Sequence, residues 1–311
     1  MIATGRPDAL LRKGLKLNHL RLLAALAETG QLTQAAGIVG ISQPAASRLV
    51  AEIEAIIDAP VHQRTGRGLG LTAEGRALAQ RAQRIRLELD DAARDLAEIA
   101  MGGVGQVRIG AVTGPAMDRV LPALQAERLN HPNVSVEVVV QPSDQLCEQL
   151  LAGRLDFAVG RLPEGLRAEP LTFRPIEAEP IALIARRGHP LFSRQSLRPI
   201  EALAHDWVMP GPDSLLTRAV LTRLQALGLP RPMQRLYTSS FLLTLAMIQQ
   251  SDAVAAIALA SALQVAQGDS AVVGILPLDL GIEVEPFGLI TRERVSLTPA
   301  SQRLADIILE G

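Results

Sequence analysis

The chain holds a single cysteine, Cys147, in 311 residues. An intrachain disulfide is therefore excluded, and an all-cysteine metal site with it. Lysine is nearly absent: Lys13 and Lys16 are the two, and arginine supplies the other cations. Long apolar runs are missing too. The opening MIATGRPDALLRKGLKLNH has no secretory pattern, and no stretch of about 18 apolar residues follows. A cytoplasmic protein without a membrane partner is the expectation. A Walker loop, a GxGxxG after a strand and an HExxH pair are also lacking. His19, His62, His131, His189 and His205 show no metal-ligand spacing. No catalytic residue, metal or cofactor is expected.

What is present reads as a folded chain. Apolar residues make up 48% and charged residues 20%, too much apolar surface for a mainly disordered protein. At roughly 100–200 residues per domain, the length suggests two or three folding units. The net charge of −1 hides an asymmetry. Residues 1–76 carry nine Arg/Lys and six Asp/Glu, a net of +3; the remainder carries 22 and 26, a net of −4. A basic N-terminal module suited to phosphate fits this division, and so does a small random imbalance.

Leu17, Leu20, Leu22, Leu23, Leu26 and Ala27 recur at helical spacing up to Gly30. A short second helix, Thr33–Val39, presents small residues that let a neighbour approach. Gly40 turns the chain into Ile41, and Ser42 caps a third helix with Pro44 in its first turn. Ala46, Leu49, Val50, Ile53 and Ile57 share its core face, leaving Gln43, Ser47, Arg48 and Ala51 on the other. This is the helix-turn-helix pattern, whose second helix enters a major groove. Gln43 suits an adenine edge, Arg48 guanine or phosphate, and Ser42 and Ser47 phosphate. A generic three-helix bundle with a polar outer face fits the same spacing. Residues 61–72 then read as a strand, a glycine-rich basic turn and a second strand. That is a wing with Arg64 and Arg67 near its tip, facing phosphate or a minor groove. Thr72 caps the next helix.

The run LTQAAGIVGISQPAASRLVAEIEAIIDAPVHQRTGRGLGLTAEG closely resembles the N-terminal domain of LysR-type transcriptional regulators. The resemblance rests on Thr33 with Ala35-Ala36, on Ser42-Gln43-Pro44-Ala45 with Ser47-Arg48, and on Arg64 and Leu71-Thr72-x-Glu74-Gly75. Val61-His62 stands where the family usually has Leu-Phe, and Gln31 where it often has Ser. The resemblance implies that Thr33, Ser42, Gln43, Pro44, Ser47, Arg48 and Arg64 lie at a surface that binds double-stranded promoter DNA. RNA polymerase is a further candidate partner.

Between Ala73 and Ala100 there is no proline, and no glycine after Gly75. Leu78, Ala82, Ile85, Leu89, Ala92, Leu96 and Ile99 alternate at spacings of four and three, an a/d seam. At 1.5 Å per residue it is roughly 30 Å long. Pairing with a second copy would bury it; packing on the chain's own C-terminal region is the alternative. Gly102-Gly103 ends the helix.

From Gln106 onward the chain reads β-α-β-α-β, the sign of a parallel sheet. Ligands of such sheets sit beyond the strand C-termini, where Thr113 and Gly114 fall at a helix start that favours an anion. A second α/β unit follows, and crossings near Pro180 and Glu285 imply two lobes on a double hinge. This half resembles the effector-binding domain of the same family, itself similar to periplasmic binding proteins. Carried onto this sequence, the resemblance implies a small, anionic effector held between the lobes by Thr113, Gly114, Gly211, Ser214, Thr238 and Ser239, with Arg161 as partner for a carboxylate.

The expected organisation is α/β overall. An all-α winged helix-turn-helix covers residues 1–72 and a dimerising linker helix 73–103. The effector domain covers 104–311, with lobe I about 104–180 plus 285–311 and lobe II about 181–284. The resemblance further implies a tetramer. A solute-binding sensor or a metabolic enzyme with an accessory helical domain is the alternative; the first does not account for residues 1–75, and the second lacks a catalytic motif.

Overall fold

The computed structural model describes residues 8–65, 68–100, 105–166, 170–268 and 271–311. The chain divides into two compact units, residues 1–96 and 97–311.

The first unit begins with α1 (Ala9–Arg12), a turn the sequence pattern does not announce. It continues with α2 (Leu17–Thr29), α3 (Leu32–Val39) and α4 (Gln43–Ile57). Gly30 and Gly40 both adopt left-handed backbone, at φ 65° and 77°, which ends α2 and α3 without strain. Ala35 and Ala36 are buried, so α3 lies close to its neighbours. Leu22, Leu23, Ala46, Val50 and Ile53 form the centre of the core. His19 is buried; it accepts the Lys16 N–H and bonds Glu52 at 3.0 Å, tying α2 to α4. The hairpin β1 (His62–Thr65) and β2 (Gly68–Leu71) is antiparallel, pairing His62 with Leu71 and Thr65 with Gly68. His62 fills the departure from the family pattern by bonding Glu54 at 2.9 Å, while Val61 N–H donates to the same carboxylate.

The long helix α5 (Ala73–Ala100) starts at a built junction. Thr72 accepts the Gly75 N–H and donates its hydroxyl to Pro60 O at 2.7 Å. Its first turns belong to the first core: Ala79 and Ala82 are buried there and Leu78 packs against it. The compact unit thus extends well past residue 72.

In the second unit the elements are β3 (Gln106–Ala111), α6 (Thr113–Pro115), a π-helical turn (Ala116–Val120), α7 (Leu121–Asn130), β4 (Ser135–Val140), α8 (Ser143–Leu151) and β5 (Phe157–Gly160). They continue with a 3₁₀ turn (Glu164–Leu166), β6 (Leu171–Arg186), a second 3₁₀ turn (Pro190–Ser193), α9 (Pro199–Leu203), β7 (Asp206–Met209), α10 (Leu215–Ala226) and β8 (Met233–Tyr237). The unit closes with α11 (Phe241–Gln249), β9 (Val254–Ala258), α12 (Leu259–Val265), β10 (Val273–Ile275), β11 (Glu283–Arg292) and α13 (Pro299–Glu310).

Among the described residues the strand order is β4-β3-β5-β11-β6-β9-β7-β8, with β10 on β6. The sheet is mixed, not parallel throughout. β3 lies parallel between β4 and β5, and β7 parallel between β8 and β9. The long strands β6 and β11 pair antiparallel with each other and with their outer neighbours. These two strands are the double crossing expected near Pro180 and Glu285. Pro180 pairs with Glu283, and the register slips between Val284 and Gly288. A slipped ladder with proline on both strands is a weak point in a sheet, which suits a hinge. Separate cores lie on either side of it, one around Val107, Phe157 and Leu304, the other around Leu183, Trp207 and Val254.

Candidate functional site

The N-terminus of α4 is the first candidate. Ser42 has extended backbone and accepts the Ala45 N–H at 3.4 Å, with Pro44 in the first turn. Gln43, Pro44, Ser47 and Arg48 are all exposed, as are Ser42 and Thr33. Residues four apart share a helix face, so Gln43 with Ser47 and Pro44 with Arg48 make one continuous polar edge. The opposite positions, Ala46, Val50 and Ile53, are buried. The edge carries an amide, a hydroxyl and a guanidinium at a capped helix start, the donor set that reads base edges and grips phosphate. Arg64 lies in β1; its side chain, and Arg67 altogether, lie outside the described residues.

The expected seam divides. Ala82 and Leu78 serve the first unit's own core, so they are not part of a free dimer surface. Ile85, Leu89 and Leu96 are exposed at 41%, 49% and 68%, and Ala92 is exposed between them. The side chain of Ile99 lies outside the described residues.

The second candidate is a cavity of about 170 Å³ in the second unit. Thr113 and Gly114 line it from one side of the hinge and Thr238 and Ser239 from the other, with Arg161 beside them. Five of the seven expected effector residues therefore converge. Ser214 instead caps α10 and faces a neighbouring open trough. Gly211 lines neither space.

Arg161 is already paired with a carboxylate of its own chain. It is buried, donates through Nε to Glu285 O at 2.7 Å and through Nη2 to Glu179 at 2.9 Å, and donates its backbone N–H to Ser143. These bonds hold strand β5 to both hinge strands. Sequence reasoning missed Glu179 and Ser261, which also line the cavity. Ser261 is buried, and its hydroxyl has no hydrogen-bond partner.

No group of three or more His, Cys, Asp or Glu placed to hold a metal occurs among the described residues, and no helix there is long and apolar enough to cross a membrane. Cys147 is fully buried on α8. Burial, then the nearby Asp144, pushes its thiol up to about 11. It is thus protonated, and not nucleophilic, at neutral pH. Alkylation at pH 7 is expected to spare the native chain and label it only after unfolding; rapid stoichiometric labelling of the native chain by mass spectrometry would contradict this.

A capped, polar-edged helix in a winged helical unit, joined to a hinged α/β unit with an internal cleft, defines a class: DNA-binding proteins that answer to a small molecule. Known proteins agree. A model of bacterial regulatory helix-turn-helix proteins of the lysR family matches residues 17–76, and one of the LysR substrate binding domain matches residues 101–311. An HTH-type transcriptional regulator GbpR from Rhizobium radiobacter is 38% identical over 244 residues, covering 78% of this chain and 81% of that protein. A GbpR from Azospirillum brasilense is 32% identical over 293 residues, 94% and 85% of the two chains. Among solved structures, CbnR, a LysR family transcriptional regulator, superposes with a TM-score of 0.54 at 21% identity, covering 94% of this chain and all of its own. A full-length OxyR variant from Pseudomonas aeruginosa gives 0.59 at 20% identity, with 94% of each chain covered. The chain belongs to the LysR family: it is a transcriptional regulator with a DNA-binding helix-turn-helix and an effector-binding domain, and not an enzyme.

Proposed function

We propose that this regulator reads promoter DNA with Gln43, Pro44, Ser47 and Arg48 in the major groove. Thr33 and Ser42 meet phosphate, and Arg64 and Arg67 of the wing touch the backbone or minor groove. The observation that supports this reading is the exposed polar edge at the capped start of α4. Two copies pair through Ile85, Leu89, Ala92 and Leu96, and the pairs associate into a tetramer in the cytoplasm, where contact with RNA polymerase follows. A two-fold dimer presents two recognition helices and selects a two-fold-related site. A CbnR structure has been solved in complex with its target DNA, a precedent for this mode.

A small molecule in the cleft shifts the hinge at Pro180 and Glu285 and, through it, the assembly on DNA. It does so only if it binds the two assembly states unequally. Lobes that exchange at about 180 and 285 follow from the same reading, whereas the first compact unit runs on to residue 96, past the expected boundary at 72.

Gln43→Ala is expected to weaken binding to the specific site by about 1–3 kcal/mol and to relax preference at one base position. Fluorescence anisotropy on a set of single-base duplex variants checks this. An equal loss on all duplexes would place Gln43 on phosphate instead.

A further inference from the structure

Two histidines that do not line the cleft meet at one atom elsewhere in the second unit. His189 follows β6, His205 joins α9 to β7, and Asp252 turns α11 into β9. Nε2 of His189 and Nδ1 of His205 each lie 3.1 Å from the backbone oxygen of Asp252. Their rings stand edge to face, with centroids 4.6 Å apart. The Asp252 carboxylate is held in turn by Arg186 at 2.7 Å. Three connections and the end of β6 are thus fastened at one residue.

These bonds fix where the protons sit. A carbonyl oxygen only accepts, so His189 carries its proton on Nε2 and His205 on Nδ1. Nδ1 of His189 accepts the Leu191 N–H at 3.1 Å and so holds no proton. Both nitrogens of this ring, 1% exposed, are committed, and the ring is neutral. A second proton on it would face the Leu191 N–H, donor against donor. It would break the cap of the 3₁₀ turn Pro190–Ser193, whose Leu191 is buried in one core with Trp207. His205 differs. It is partly exposed, and a proton on its Nε2 breaks none of these bonds. The charge it gains then stands beside His189 and opposes another there.

The charged groups facing His189 are His205, the Asp252 carboxylate and Arg186, the last two paired with each other. Arg187, next in the chain, donates to Gly268 O at 2.8 Å. Burial holds the His189 pKa below the ordinary histidine value; the bond to Asp252 O opposes this, and His205 adds to it.

We propose that His189 and His205 form a proton-operated latch on the effector-binding domain, closed while His189 is neutral and opened when its ring takes a second proton. The latch is independent of what the cleft binds. Because the folded-state pKa is lowered, the opened segment takes the proton first. The stabilisation is therefore complete above about pH 6.5 and is lost as pH falls below it.

The test is hydrogen exchange of the full chain, read by mass spectrometry as protection of residues 187–193 after correction for the chemical rate at each pH. Between about pH 7 and 5.5, above the range where carboxylates titrate, protection there is expected to fall about four- to ten-fold while β5 keeps its own. His189→Asn keeps an acceptor for the Leu191 N–H in an Asx turn but cannot titrate, so its protection is expected to stay level. His205→Asn, at a partly exposed position that tolerates the change, is expected to make the wild-type fall about half as deep, because one opposing charge is gone. Level protection in the wild type, a fall shared equally by β5, or the wild-type fall in His189→Asn overturns the latch. A fall of full depth in His205→Asn overturns the pairing of the two rings.

Discussion

Leu89→Asp is expected to separate the proposed dimer while leaving each folded unit intact. Leu89 is half exposed on the isolated chain, between the exposed Ile85 and Leu96. Its replacement therefore costs the monomer little, but it places a charge in the middle of an apolar seam. The consequence for DNA is larger than for stability. Two linked recognition helices gain about 10²–10⁴ in apparent affinity over one, without any new contact. The variant should sediment as a single chain and lose about that factor on a two-fold site. A variant that stays dimeric would show that the seam is not the interface. Ala82, by contrast, is buried in the first unit's own core, so Ala82→Asp should unfold that unit.

Gly75→Ala is expected to be the most destabilising single methyl in the DNA-binding unit. A Cβ at Gly75 would overlap the backbone carbonyl of Val61, and backbone cannot swing aside as a side chain does. Relieving the clash pulls apart the Thr72 bonds to Gly75 N–H and Pro60 O that fasten the wing to α5. Overpacking of this kind costs about 3 kcal/mol, enough to lower the melting midpoint of a unit this size by more than about 10 °C. Gly37→Ala is the matched control. It lies within α3 with open space around the added atom, so it should raise stability by up to about 1 kcal/mol. Calorimetry of the two variants gives opposite signs; equal small effects would mean the junction yields.

The DNA-binding half was legible because its signals are local. Gly40, Ser42 and Pro44 act within a few residues, and the core face of α4 follows from spacing alone. The effector half was legible only in part. The first stretch of β6 alternates, Leu171-Thr172-Phe173-Arg174 and then Ile176-Glu177-Ala178-Glu179, but Pro175 and Pro180 interrupt it and read as strand breakers. α12 hid inside the apolar run that begins at Ala253, where strand and helix cannot be told apart by periodicity. Thr113 and Gly114 were candidates because ligands gather beyond strand ends, Thr238 and Ser239 only through the family resemblance; all four line the cavity. Glu179 was not a candidate, since its partner Arg161 is 18 residues away and the Glu285 carbonyl 124 from Arg161. Those contacts arise from the crossing of β6 and β11, which no local pattern announces. The orphaned hydroxyl of Ser261 is a property of packing, invisible in a run of small residues.

If the polar edge near Gln43, doubled by a paired α5, reads duplex DNA, footprinting of the full chain on its own upstream genomic region shows two protected half-sites about one helical turn, roughly 34–36 Å, apart. Both are lost in Gln43→Ala and Leu89→Asp. Protection no stronger than on an unrelated duplex at the same salt would contradict it.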